Sequence, residues 1–290
     1  MAVLDPITPG GIEAVSFSGR FGLHRLRRVR LSQRVAIATL VLVTLLALLA
    51  PTLAPHDPTL PAGMPLQPPS GAFPFGTDSV GRDELSQVLY GIQSTWFSAL
   101  AVIACGAVVG GTVGLIAGAA PGWLDNLLMR ITDIFLSLPA PLLAIPVVAA
   151  LGPSLDHTLI AVAVLWWPYY ARLVRAEVRA LSVLPHFDAA RLAKTSRFRR
   201  LVRYLLPGAI PVTIVAASLD IGNLIVVLAG LSFLGLGAQP PSPELGSLTA
   251  NGLPYLLTNW WVPIIPGLAV FALSLIGNLT GDTIRDMVDR

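Results

Sequence analysis

Cysteine is almost missing from this sequence: Cys105 is the only one in 290 residues. A single thiol inside an apolar run forms no intrachain disulfide and offers no redox pair or metal cluster. Lysine is as scarce. Lys194 is the only one and follows Ala193, whereas a P-loop needs Gly-Lys-Ser/Thr so that backbone amides and the ammonium together hold phosphates. Any nucleotide that drives this protein is therefore bound by another chain. The four histidines (His24, His56, His157, His186) are scattered, and neither His-Glu-x-x-His nor Gly-x-Ser-x-Gly occurs. Gly230-Leu231-Ser232-Phe233-Leu234-Gly235 is one residue too long for the latter. Nothing here supports an enzyme, a bound metal or a bound cofactor. Charge is also thin, at 12% of residues against roughly 25% in soluble domains.

What is present is apolar: 54% of the chain is hydrophobic and mean hydropathy is +0.73. That balance cannot be arranged as one core under a polar skin, and it excludes a disordered chain or a disulfide scaffold. Transmembrane barrels alternate apolar and polar residues. The runs here are continuous, so the spans are expected to be helices, which satisfy their own backbone in lipid. The fold class is all-α, a polytopic membrane protein.

Fifteen of the nineteen basic residues fall in two windows. Six lie in 1–34 (Arg20, Arg25, Arg27, Arg28, Arg30, Arg34), and nine lie between Arg172 and Arg203. Such segregation argues against nucleic acid, and the positive-inside rule puts both windows in the cytoplasm. Residues 1–34 read as a basic cytoplasmic tail and 35–55, uncharged, as the first transmembrane helix. The long basic stretch ahead of it favours a retained anchor over a cleaved signal peptide. Residues 56–89 read as a Pro-rich extracytoplasmic loop. Over 90–282 five further spans are expected, at about 90–118, 127–150, 156–178, 209–236 and 260–280. The basic segment 179–207 interrupts them, and 283–290 forms a cytoplasmic tail. Six helices return the C-terminus to the side of the N-terminus and leave 179–207 on that same side, as its charge requires.

Few residues within the expected spans carry charge. Asp220 falls near the middle of the fifth, where an ionisable group is a functional candidate by default. It either lines a pore and attracts cationic groups or makes a structural hydrogen bond to a neighbouring helix. Arg130 and Asp133, three apart, are expected to pair locally. Gly106, Gly110, Gly114 and Gly118 recur every four residues. They present one face for close helix packing, within the chain or against a second subunit. In 185–207 the hydrophobic positions Phe187, Leu192, Phe198, Leu201 and Leu205 sit among basic ones. The pattern suggests a short amphipathic helix, a turn and a helix starting at Pro207. The small Ala189, Ala190 and Ala193 would let a partner backbone approach; the alternative is a helix lying on lipid.

This segment also carries a resemblance. Asp188-Ala189-Ala190, then Lys194, then Tyr204-x-Leu206-Pro207 is similar to the coupling-loop pattern of ABC importer permeases, Glu-Ala-Ala, three residues, Gly, nine residues, Ile-x-Leu-Pro. Asp stands for Glu, Lys for Gly and Tyr for Ile. Lys194 cannot take the left-handed turn that glycine allows at little cost, so the turn is expected to be reshaped or fitted to a particular ATPase. Phe75-Gly76-Thr77-Asp78-Ser79-Val80-Gly81-Arg82-Asp83 resembles the Leu-Gly-Thr-Asp-x-x-Gly-Arg-Asp signature of the C-type permease of dipeptide, oligopeptide and nickel importers. Leu231 to Pro241, with Gln239-Pro240, resembles its Leu-Ser-Phe-Leu-Gly-Leu-Gly-x-Gln-Pro-Pro stretch. Asn278 to Asp286, with Gly281, Asp282, Arg285 and Asp286, resembles its Asn-x-x-Gly-Asp-x-x-Arg-Asp ending. Trp167 to Arg175 also resembles the family.

The resemblance implies a type I ABC importer, MetI-like permease fold and a multi-pass place in the bacterial cytoplasmic (inner) membrane. The implied partners are a B-type permease subunit, two ATP-binding subunits or one fused pair, which hold the ATP and Mg, and an extracytoplasmic substrate-binding protein. Phe187, Asp188, Ala189, Ala190, Lys194, Leu206 and Pro207 would form the ATPase-coupling loop. The cargo would be di- or oligopeptides or, alternatively, nickel chelates, glutathione or haem-like molecules. An ion-driven secondary transporter is the reading from another class, although no internal repeat of the kind such proteins carry is evident.

Overall fold

The computed structural model describes residues 31–288. The expected basic tail over 1–34 lies outside them except for its last four positions, which begin the first helix. The elements in order are α1 (Leu31–Leu53), α2 (Glu84–Ala119), α3 (Trp123–Leu136), α4 (Ala140–Leu151), α5 (Leu155–Ser182), α6 (Pro185–Leu192), α7 (Arg197–Arg200), α8 (Leu206–Phe233), α9 (Leu245–Gly252) and α10 (Trp261–Val288). Among the described residues there is no strand beyond one isolated bridge, Thr77 to Asp83. Each of the six expected helices has a counterpart, with the third divided into α3 and α4.

By length and composition four of these helices can cross a membrane, and a fifth can if α3 and α4, bent by 80° at their junction, form one span. α5 has 28 residues but carries Asp156, Arg172, Arg175, Glu177 and Arg179. The bend corrects the expectation of one helix over 127–150. Pro139 and Pro141 lack the N–H groups that would bond the Phe135 and Ser137 carbonyls, and Leu138, preceding a proline, is steered out of the helical region. α2 starts at Glu84 rather than near 90, because Asp83 caps it by accepting hydrogen bonds from the Ser86 amide and hydroxyl at 3.2 and 2.5 Å. The fifth helix does not start at Pro207. It runs unbroken from Arg197, through a π turn at Leu201–Leu205, into α8. Pro207 has no N–H for the Arg203 carbonyl, and the Leu206 amide reaches back five residues to Leu201 instead, the kind of local π adjustment by which membrane helices accommodate proline. α10 continues to Val288, through most of the stretch expected as a tail.

The main core gathers Trp96 and Ile103 of α2, Val148 of α4, Val162 of α5, Leu224 and Ile225 of α8 and Leu273 of α10. The glycine stripe explains how α2 and α5 come together. A Cβ on Gly110 would land on the Trp167 carbonyl and one on Gly114 on the Ala171 carbonyl, while Gly118 would meet Val178 at 2.7 Å. Backbone therefore lies against backbone, and this face packs within the chain. Gly111 points elsewhere, with nothing within 4 Å of the place a Cβ would take. Gly281 does for α10 and α8 what the stripe does for α2 and α5: its Cβ would sit 2.7 Å from Leu219 Cα.

Enlarging Gly110 to Leu must force these helices apart. The expected loss is on the order of 2 kcal/mol or more, read as a lower melting temperature of the detergent-purified chain, while Gly111→Leu leaves the melting temperature in place.

Candidate functional site

The segment after α5 folds into an elbow. Pro185 opens α6, where its missing N–H is not needed. The helix ends after Leu192 in a Schellman arrangement, in which the Thr195 amide donates to the Ala190 carbonyl at 3.2 Å and the Lys194 amide to the Arg191 carbonyl at 3.0 Å. That geometry needs a left-handed residue, and Lys194 supplies it with φ of 52°. The turn is thus not reshaped: lysine occupies the glycine conformation, at a cost of about 1–2 kcal/mol. Ser196 then caps α7 by accepting from the Arg199 amide.

The elbow's two faces differ. Phe187, Leu201 and Leu205 turn inward against Leu115, Val174, Val178 and Ala209, and the Arg200 guanidinium lies over the Phe187 ring, 5.8 Å from its centroid. Ala190 is buried, whereas Ala189, Asp188 and Lys194 are exposed. Asp188 and Arg191 approach at 3.8 Å. Leu192 and Phe198 point outward at 85% and 74% exposure. Leu206 and Pro207 are exposed where α8 leaves the elbow. Of the alanines considered for a partner's approach, Ala190 is an internal packing residue, whereas Ala189 and Ala193 are exposed.

α5, which leads into the elbow, is tied to α3 by ion pairs that local spacing does not reveal. Asp133 does not pair with Arg130. It accepts from Arg172 Nη2 at 2.7 Å, because α5 runs alongside that face of α3. Asp125, 1% exposed, takes two guanidiniums, Arg175 by both Nε and Nη2, the latter at 2.9 Å, and Arg179. Asp125 was not a sequence candidate; its position in the first turn after Pro121-Gly122 was visible, but partners about fifty residues away were not.

Asp220 sits deep in α8, 8% exposed. Its Oδ2 accepts from Trp166 Nε1 and from Tyr170 Oη, the latter at 3.1 Å, both on α5. Its Oδ1 has a long 3.4 Å contact from Asn223 Nδ2. It therefore makes structural hydrogen bonds and also lines a cavity of about 330 Å³, walled by Trp166, Tyr169, Leu219 and Asn223 with Leu136 and Ala140 at either side of the α3–α4 break.

The signature residues before α2 form a knot rather than a reactive site. Asp78 accepts from the Val80 and Arg82 amides, from Arg82 Nε at 2.7 Å and from Gln87 Nε2. Thr77 donates to the Met64 carbonyl and accepts from the Gln67 amide. Gly76 and Gly81 take positive φ of 79° and 87°, and a Cβ on Gly81 would strike the Gly63 carbonyl. Asp83 caps α2 and faces His56 Nδ1 at 3.3 Å. After α8, Gln239 Nε2 donates to the Gly235 and Gly237 carbonyls, and the Pro240–Pro241 bond is cis. Glu244, also not foreseen, caps α9 through the Gly246 and Ser247 amides and accepts from Thr95 of α2 at 3.1 Å. Burial pushes its carboxyl above the usual range, against the lowering effect of those amides. Asp282 and Asp286 are exposed and Arg285 lies between them on α10; none of the three lines the Asp220 cavity.

The model of the family described as binding-protein-dependent transport system inner membrane component matches residues 110–290. The chain belongs to that family. It is a multi-pass inner-membrane permease, and its relatives are permease subunits of ABC transporters. The D,D-dipeptide transport system permease DdpC of Escherichia coli (named as probable) is 41% identical over 86% of this chain and 84% of the relative. The di/tripeptide transport system permease DppC of Pseudomonas aeruginosa is 38% identical over 86% and 85%. The glutathione transport system permease GsiD of Pectobacterium atrosepticum is 39% identical over 76% and 73%. Among solved structures, a chain of the inward-facing MetNI methionine ABC transporter aligns with a TM-score of 0.56 at 23% identity, over 70% of this chain and 97% of that one. The permease fold is thus MetI-like.

The two sets of ion pairs differ in environment. Asp133 and Arg172 are more than half exposed, and such a pair contributes roughly 0–1 kcal/mol. The Asp125 side chain is buried but its arginines reach water, so Asp125→Asn is expected to remove about 2–3 kcal/mol, below the figure for a wholly buried pair. Thermal unfolding of the two variants should separate them, with Asp133→Asn close to the parent.

Proposed function

We propose that this permease is one transmembrane half of an ATP-driven importer of di- and oligopeptides, worked through the elbow over 179–207. The observation that carries this reading is the elbow itself. A helix–Schellman–helix turn displays Ala189, Leu192, Phe198 and Lys194; it joins α5 across Val183 and Leu184 and runs unbroken into α8. A docked ATPase gripping the displayed face moves both helices as levers, and both touch the Asp220 cavity. Phe187 and Ala190 stiffen the elbow from inside, while Asp188 and Lys194 present charge at its rim.

In this reading α5 is the further span that brings the crossings to six and leaves both termini on the elbow's side. A B-type permease closes the pathway and two ATP-binding chains, or a fused pair, hold ATP and Mg. An extracytoplasmic binding protein delivers cargo to the side bearing the Pro-rich loop. ATP binding shifts an inward–outward equilibrium only as far as its affinities for the two states differ. Peptide cargo is supported by the names of the relatives at 38–41% identity. Glutathione is the second reading, favoured by the relative named for its transport, and a ligand screen on the cognate binding protein decides between them.

The test is substitution on the displayed face. Ala189→Arg is expected to reduce uptake by proteoliposomes at least tenfold while the ATPase subunits still hydrolyse ATP. Lys194→Gly, which relaxes the left-handed turn, is expected to retain uptake. Wild-type uptake by Ala189→Arg, or failure of the chain to co-purify with ATP-binding subunits, overturns the assignment.

A further inference from the structure

Asp220 faces its cavity with only neutral partners among the described residues. Asp220 lies about 20 Å from either end of α8 at 1.5 Å per residue, so a carboxylate sits at the depth of the hydrocarbon core. All its hydrogen-bond donors are neutral: an indole, a phenol and an amide. None of the residues lining the cavity is basic. The first arginine beyond Tyr170 on α5, Arg172, is engaged by Asp133. Acidic groups in membrane spans characteristically have a partner, and among the described residues no cationic one meets Asp220.

The space beside the carboxylate suits such a partner. A volume of about 330 Å³ lies at the lower end of the roughly 300–1,000 Å³ of small-molecule sites. Oδ2 is occupied by two donors, but Oδ1 has only the 3.4 Å amide contact and so retains lone pairs for a further donor. The walls include the rings of Trp166 and Tyr169, and aromatic faces attract ammonium groups. Leu136 and Ala140, on either side of the 80° bend between α3 and α4, lie along the cavity wall.

We infer that this cavity is a way-station for a primary ammonium group on the transported molecule, with Asp220 Oδ1 accepting its N–H bonds and Trp166 and Tyr169 walling it. The inference rests on the importer reading and gives it a cargo chemistry. A pathway for varied peptides cannot be fitted to their side chains. The free amino terminus is the cation every unmodified peptide has, so one carboxylate among rings can serve them all.

The experiment uses the assembled complex in nanodiscs without binding protein and reads ligand contact by saturation-transfer NMR. The probes are L-alanyl-L-alanine, its N-acetyl derivative and n-butylammonium. The wild type is expected to bind the free dipeptide, in competition with n-butylammonium, and to ignore the acetylated one. Asp220→Asn keeps an oxygen for Trp166 and Tyr170 and is expected to retain its melting temperature while binding at least tenfold more weakly. Tyr169→Leu, at a half-exposed ring, is expected to weaken binding several-fold and carries the test if the Asn variant does not fold. Equal binding of the acetylated probe, or unchanged binding in a folded variant at Asp220, overturns the inference. ATP-driven uptake by the wild-type complex with its binding protein is scored separately. Uptake with Asp220-independent binding sinks the cation site alone. No uptake of any peptide sinks the importer reading, and with it the cargo assigned to the cavity.

Discussion

The close approach of α2 and α5 is the constraint on which the rest of the structure depends. Because Gly110 and Gly114 carry no side chain, the α5 backbone at Trp167 and Ala171 lies directly on α2. In lipid no hydrophobic force drives two apolar helices together, so such packing must come from surface fit and close contact. That seam fixes the rotation of α5 about its axis, and several features follow from the rotation. Tyr170 is buried on the α2 side yet reaches Asp220 with its hydroxyl, while Trp166, one turn earlier, donates to the same carboxylate. One and two turns after Trp167, Ala171 and Arg175 follow the same stripe, and Arg175 and Arg179 meet Asp125. A helix turned by 100° would offer none of these contacts.

α5 therefore joins three levels of the molecule. At its middle turns it forms the wall of the cavity, in its C-terminal half it is clamped to α3 by charge, and past Ser182 the chain becomes the elbow. The second small core, where Phe187 and Leu201 pack on Val174 and Val178, makes the elbow an extension of α5 and α8 rather than a loop hung between them. In the proposed coupling, a displaced elbow would carry with it the helices that contain Trp166 and Asp220. The knot built on Asp78 and the Glu244 cap stiffen the opposite side of the bundle in a comparable way, each by one buried carboxylate collecting several donors.

Much of this was legible in the residues. Continuous apolar runs gave the helices, the four-residue glycine spacing gave the packing face, and the Asp-Ala-Ala and Gly-Thr-Asp stretches fell at an elbow and a knot with defined geometry. What sequence reading missed was non-local. Arg130 and Asp133 satisfy the i to i+3 rule, yet Asp133 chose Arg172, 39 residues away, because helix rotation decides which charges meet. Asp125 and Glu244 escaped for the same reason. The α3–α4 break was recoverable: Ser137-Leu138-Pro139-Ala140-Pro141 holds two prolines two residues apart, a strong stop signal that hydropathy overrode. Ala189 and Ala190 are indistinguishable as residue types, and only the inward turn of Phe187 assigns one to the core and the other to the surface.

Lys194 shows which of the elbow's properties the chain preserves. Glycine would enter the left-handed region at little cost, yet this chain keeps the turn with a lysine at φ of 52°. The turn is retained because its two Schellman bonds and the Thr195 hydroxyl on the Ala190 carbonyl at 2.8 Å overdetermine it, and the second core behind it leaves α6 no other direction. Geometry, rather than residue identity, is then what the elbow holds constant. The substitution adds a cation at the tip of a turn already bordered by Arg191 and Arg197, with Leu192 and Phe198 outward beside them. A surface of that composition, apolar knobs ringed by positive charge, suits a groove that is apolar at its floor and acidic at its rim. If the elbow docks on an ATPase as proposed, the Lys194 charge would act mainly by penalising a mismatched groove, because like charges across an interface cost several kcal/mol.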